Sequence, residues 1–209
     1  MTVPTAESQP SRRTRADTAR DRVGGTRRAI LDVSLELFAD QGYGGTSLRH
    51  IADRLGITKA AIYHHFKAKE DIARVVVDEA VALFGQIADR LAVAGTDPAG
   101  WQRALDQVID MAIASRQLLL VWDRNEQVFH TLFDDDPDLG PRIAAQGEQT
   151  AGLFGNPALS PAERVRLGCA FGAVMGPLML LSDWYQDLSA AEIRDHIRHA
   201  VAALLNPGT

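Results

Sequence analysis

The chain has 209 residues, 46% hydrophobic and 23% charged, a composition that excludes disorder over the whole length and suits one folded domain with room for a small second one. A single cysteine, Cys169, excludes a disulfide framework and any zinc site built on paired cysteines. The net charge of −5 divides unevenly, net +4 over residues 1–75 and net −9 over residues 76–209, which points to a local polyanion-binding surface on a body that repels the same polyanion.

Residues 1–24 are polar and Arg-rich with almost no apolar side chains, and read as a flexible basic arm. No apolar run follows the arginines, so no signal peptide is expected. From Thr26 the residues Ile30, Leu31, Val33, Leu35, Leu37 and Phe38 recur at spacings of three and four, a helix with one broad apolar face that stops at Gly42. Thr46 or Ser47 caps a second helix with the stripe Leu48, Ile51, Ala52 and Leu55, closed by Gly56. Thr58 caps a short third helix with the inner face Ile62 and Phe66, and a long helix then runs from about Lys69 to Ala94.

Every later segment also reads as helical. Asp97-Pro98 opens a helix through Trp101, Leu105, Val108 and Ala112. Residues 116–133 hold one or two helices, and Asp134-Asp135-Asp136-Pro137 breaks the chain before another that runs to about Phe154. Ser160 with Glu163, and Ser189 with Glu192, have capping-box spacing and start final helices at about 161–182 and 190–205. Alternating periodicity and hairpin turns are missing, so the fold class is all-α. The longest apolar run, Leu167–Leu181, has 15 residues, short of the ~20 that a membrane span needs. No membrane association is expected, and a cytoplasmic location is.

Ser47 to Phe66 reads as helix, tight turn, helix: a helix-turn-helix, whose second helix lies in the major groove of DNA. Ala52 lets the helices cross closely, Gly56 takes a positive φ, and Ile57 fills the space between them. Ile62 and Phe66 pin the last helix from behind, leaving Lys59, Ala60, Ala61, Tyr63 and His64 facing out. The run Phe38-Ala39-x-x-Gly42-Tyr43-x-x-Thr46-Ser47-Leu48-Arg49-x-Ile51-Ala52-x-x-Leu55-Gly56-Ile57, with Ile62-Tyr63-x-His65-Phe66 and Lys69-Glu70 after it, resembles the tetracycline-repressor (TetR) family of bacterial regulators over about residues 26–75. The remaining two thirds share only helicity with it.

The resemblance implies that Thr46 or Ser47 binds a phosphate with the helix amino terminus behind it. Tyr63, His65 and Lys69 would also meet the DNA backbone. Lys59, Ala60, Ala61 and His64 are candidates for base edges, with Thr58 at the start of their helix and Arg49 adding a contact from the preceding one. Domains follow accordingly: arm 1–24, helix-turn-helix domain 25–70, and helical effector-binding and dimerisation domain 71–209.

No catalytic residue, cofactor or metal is expected. The glycines at 42, 44 and 45 lack the Lys and spacing of a phosphate-binding loop. His196 and His199 lack a third ligand, the Asp134–Asp138 group lacks calcium-loop order, and Cys169 reads as a small buried hydrophobe. Gly168, Gly172 and Gly176 form a smooth ridge on one helix face, which, with His196 and His199, is the expected homodimer interface; Pro177 should kink that helix. Trp101, Met111, Trp122, Phe129, Phe133, Met175, Met179, Trp184 and Tyr185 supply the candidates for an apolar effector pocket, with Trp122 and Phe129 on one face and Asp123, Arg124 or His130 as polar contacts. The expected protein is a homodimeric regulator, a repressor released from palindromic double-stranded operator DNA by a small apolar or aromatic effector. An activator or a co-repressor-dependent regulator is the alternative, and an all-α enzyme or carrier a remote one.

Overall fold

The computed structural model describes residues 15–179 and 187–205, with side chains from residue 25 onward except that of Pro98. The helices are α1 (Arg15–Gly45), α2 (Leu48–Leu55), α3 (Lys59–Tyr63), α4 (Lys69–Val93), α5 (Pro98–Ala114), α6 (Arg116–Phe133), α7 (Leu139–Phe154), α8 (Pro161–Met179) and α9 (Ala190–Leu205). No strand occurs among the described residues, and none of their helices is long and apolar enough to cross a membrane.

Local chemistry accounts for the boundaries. Ser47 Oγ accepts from His50 N at 3.2 Å and Thr58 Oγ1 from Ala61 N at 3.2 Å, so each hydroxyl satisfies an orphan donor of its helix. Gly56 ends α2 at φ 65°, a left-handed position that side chains disfavour. Asp97 accepts from Ala99 N and Gly100 N at the head of α5. Asp71 Oδ2 accepts from Lys67 N at 2.7 Å and Ala68 N at 3.0 Å, fixing the entry to α4. Both expected capping boxes form: Ser160 N donates to Glu163 at 2.7 Å and Ser189 N to Glu192 at 2.8 Å, with the hydroxyls accepting in return at 3.3 Å.

One expectation is corrected. The first helix starts at Arg15, not Thr26, and takes in residues 15–24 that read as arm. Ala and Arg are good helix formers and propagate a helix already nucleated by the apolar face that follows. Residues 1–14 of the arm, Trp184 and Tyr185 lie outside the described residues.

Two hydrophobic clusters make up the core. The first joins Ile30, Phe38, Ile51, Ile62 and Phe66 to the first half of α4 (Ile72, Val76, Val77) and to Val121, Trp122, Phe129 and Phe133 of α6. The second joins Leu83, Ile87 and Leu91, from the rest of α4, to α5, α8 and α9 through Leu105, Val108, Val174, Leu178, Ile197 and Val201. Helices α4 and α6 contribute to both, α6 to the second through Leu119.

Hydrogen bonds from Ser160 and Ser189, side chain first for Glu163 and backbone first for Glu192, hold both carboxyls below the ordinary glutamate range. A carboxyl depressed in the folded state stabilises fully above its unfolded pKa, and that contribution disappears as pH falls through the folded value. The double variant Glu163→Gln/Glu192→Gln is therefore expected to melt below the wild type at pH 7. Thermal scans down to acid pH should show the difference closing below the usual glutamate pKa.

Candidate functional site

The outward face of the short third helix follows from what holds its back. Ile62 is fully buried and Phe66 almost so, whereas Lys59, Ala60, Tyr63 and His64 are exposed and Ala61 and His65 half-buried. Lys59 Nζ lies 5.5 Å from the Tyr63 ring centroid, so a cation and an aromatic edge share one surface. On α2, Arg49 is exposed and makes a loose pair with Asp53 at 3.6 Å, an interaction that water and salt weaken. Small residues beside Lys, Tyr and His form a surface that a polyanion can approach closely.

Two sequence candidates are corrected. Thr46 is buried, its Oγ1 donates to Gly42 O at 2.9 Å, and it is not presented to a phosphate; Ser47 takes the cap alone. Lys69 is half-buried, and its ammonium donates to Tyr43 O at 2.7 Å and Thr46 O at 2.8 Å while lying 3.9 Å from the Tyr43 ring centroid. Desolvation lowers its pKa, opposed by the charge of Glu70. Its part is to tie the α1–α2 corner to the start of α4. Burial and the Glu70 carboxylate, which accepts from Tyr43 Oη at 2.9 Å, push the Tyr43 phenol far above its usual range, so it stays a neutral donor.

The same corner receives a second set of bonds from the body. Gly42 breaks the helical path at φ 75°, ψ 163°, a glycine-favouring conformation that leaves the carbonyls before it and the amide after it without helical partners. Asn125, buried in α6, supplies them: its Oδ1 accepts from Tyr43 N at 2.6 Å, and its Nδ2 donates to Phe38 O at 3.1 Å and to Val121 O at 2.8 Å. Arg124 donates to Ala39 O. Helix α6 thus serves as the carboxy-terminal cap of α1. Phe129, fully buried, packs edge-to-face on Tyr43 with centroids 6.2 Å apart.

Another face of α6 lines a cleft of about 510 Å³ between α4, α6, α7 and α8, within the ~300–1,000 Å³ common for small-molecule sites. Of the pocket candidates, Trp122, Met175 and Met179 line it. His130 also does, but Asp123 and Arg124 do not. Phe129 and Phe133 are corrected to core: both are buried in the first cluster, Phe129 with its ring centroid 6.1 Å from that of Trp122, and neither is among the cleft's described lining residues. Trp101 packs in the second cluster with Nε1 donating to Gly95 O at 2.8 Å, and Met111 packs against that cluster too. Sequence reasoning missed Glu126, Gln146 and Thr150, all of which line the cleft. Glu126 was legible, since Trp122, Glu126 and His130 are four apart and share one face.

On the outer surface, Gly168 and Gly172 are exposed, and Cβ atoms added at Gly168, Gly172 or Gly176 would meet nothing within 4 Å. His196 and His199 are exposed nearby on α9. Among the described residues, therefore, nothing packs closely on the glycine ridge. Cys169 is exposed, not buried, because it lies on this ridge side of α8. Among the described residues no group of three His, Cys, Asp or Glu is placed to hold a metal ion.

Residues 30–76 match the family described as bacterial regulatory proteins, tetR family. The HTH-type transcriptional regulator AcrR of Shigella flexneri is 55% identical over 47 residues, 22% of each chain. The HTH-type transcriptional repressor BepR of Brucella suis biovar 1 is 32% identical over 123 residues, covering 59% of this chain and 54% of that one. The match thus spans from about a fifth to about half the length of these relatives. A TetR-family transcriptional regulator from Bordetella parapertussis has the same fold at TM-score 0.63 and 19% identity, over 87% of this chain and 94% of that one.

Replacing Asn125 by Leu would take from the buried Tyr43 amide the acceptor that Asn125 supplies, at about 1–3 kcal/mol. Urea denaturation should register a loss of that order, and amide exchange at Tyr43 should accelerate more than in α9. Unchanged stability would mean that water replaces the amide.

Proposed function

We infer, from the match of residues 30–76 to the tetR family of bacterial regulatory proteins, that the protein is a homodimeric, cytoplasmic repressor of that family, released from operator DNA by a small molecule. The observation that carries this reading is the exposed Lys59, Ala60, Tyr63 and His64 surface, held rigid from behind by Ile62 and Phe66. Ser47 at the α2 amino terminus, Tyr63 and His65 serve the phosphates. Lys59, Ala60, Ala61 and His64 serve base edges, with Thr58 and Arg49 at the margins. The protein works by binding and not by turnover.

Two copies are needed to address a palindrome, with recognition helices about 34–36 Å apart or at a related spacing. The unfilled glycine ridge of α8, with His196 and His199 of α9, is the surface on which a second copy would sit. The cleft would hold the effector. Helix α6 contributes both a cleft wall and the cap of α1, so an effector that binds better to a shifted α6 disturbs the position of the DNA-binding head. Its effect on operator affinity can be no larger than its preference between the two states.

Retardation of fragments from genomic DNA, followed by footprinting, tests the reading; a footprint without two-fold symmetry, or none, would overturn it. On the selected operator, Lys59→Ala is expected to lose ~1–3 kcal/mol and relax choice at one base pair, whereas Tyr63→Phe should weaken all sequences alike. Lys69→Met should lower stability and leave the slope of log K against log salt unchanged, because its ammonium is already bonded to the backbone.

Since a Cβ added at Gly172 meets nothing within 4 Å among the described residues, Gly172→Leu is expected to fold, and even to gain about 1 kcal/mol of helix propensity, yet to run as a monomer by light scattering. A dimer of unchanged affinity would move the interface elsewhere.

A further inference from the structure

The cleft is sorted by charge as well as by shape. Its lining includes the Trp122 and Phe84 rings, packed edge-to-face with centroids 5.6 Å apart, and the thioethers of Met175 and Met179. No Lys or Arg is among its described lining residues, and Glu126 is the one carboxylate. Glu126 has no cation of its own beyond a His130 ring nitrogen 3.9 Å away, and that imidazole is held at its other nitrogen by Asp134 at 2.9 Å. The remaining polar lining is largely self-satisfied: Gln146 Nε2 donates to Thr150 Oγ1 at 2.7 Å, and Thr150 Oγ1 to Gln146 O at 3.0 Å. The arginine next along α6, Arg124, is turned away to the Ala39 carbonyl.

An anionic ligand entering this cleft would meet a carboxylate and, among the described lining residues, no Lys or Arg. A neutral apolar one would leave the carboxylate facing apolar surface. A bulky apolar cation would gain both the ring faces and the carboxylate. We propose that the cleft selects aromatic or bulky apolar monocations, with Glu126 as the counter-ion and Trp122 and Phe84 as the walls. The inference rests on the reading of this cleft as the effector site, and extends it to the sign of the ligand's charge.

The test uses two probes of nearly equal size and shape but opposite charge, tetraphenylphosphonium and tetraphenylborate, titrated calorimetrically into the full-length protein without DNA. The cation is expected to bind about tenfold more tightly than the anion. Glu126→Gln, at a side chain 58% exposed, should abolish that preference. Gly147→Leu, at a lining position where a new side chain meets nothing within 4 Å, should weaken the cation by narrowing the cleft. Equal or reversed affinities, no binding of either probe, a preference that survives Glu126→Gln, or cation binding indifferent to Gly147→Leu would each overturn the proposal. Operator retardation measured in parallel separates the two readings: cation selectivity without DNA binding would remove the repressor and keep the cation site.

Discussion

The buried amide of Asn125 is the interaction on which the arrangement of the two halves depends. A helix that ends at a glycine kink leaves backbone groups that must be satisfied, and at the end of α1 those groups are buried, out of reach of bulk water. The side chain that satisfies them comes from α6, more than 80 residues along the chain. Head and body are therefore joined by directional bonds, which fix an angle, and not only by apolar contact, which tolerates sliding. The Phe38–Tyr43–Phe129 aromatic series beside it, with centroids 5.4 and 6.2 Å apart, supplies the burial that makes those bonds matter.

From this joint, constraint spreads along α4. Lys69 ties its first turn to the Tyr43 and Thr46 carbonyls. Farther along, Arg74 pairs with Asp136, Asp78 with Arg142, and Asp89 accepts from Gln149 at 2.9 Å. The exposed ones among these add little stability one by one. Spaced along a single seam, they set the rotation of α4 against α7, which also borders the cleft.

The head was legible because its determinants are local. Caps at Ser47 and Thr58, the turn at Gly56 and the stripes at Ile51 and Ile62 are all set by neighbours within a few residues. The misreadings at the joint have one origin: a side chain's partner there lies far away in sequence. Thr46 and Ser47 are equivalent as caps on paper, and only packing against the end of α1 decides between them. Lys69 looks like a free cation until the Tyr43 carbonyl is found beside it. Phe129 and Trp122 share a face, but Tyr43 of the head covers the Phe129 ring while Trp122 borders the cleft. Asn125 left a readable sign, for it stands three residues after Trp122 and four before Phe129, a polar side chain on an apolar stripe. The cleft was least legible, because its outline needs four helices at once.

The division of the core has a consequence for modularity. The cluster beneath the recognition helix does not close within the head; it is completed by Val76 and Val77 of α4 and by Val121, Phe129 and Phe133 of α6. Chain cut after residue 70 would lose these partners and expose the apolar backs of α1 and α4's neighbours to water. Transplanting a foreign head onto this body, or this head onto another, would succeed only if the α6 stripe and its asparagine travelled with it. The unit that can be inherited or exchanged whole is thus larger than the helix-turn-helix motif, and it includes α6.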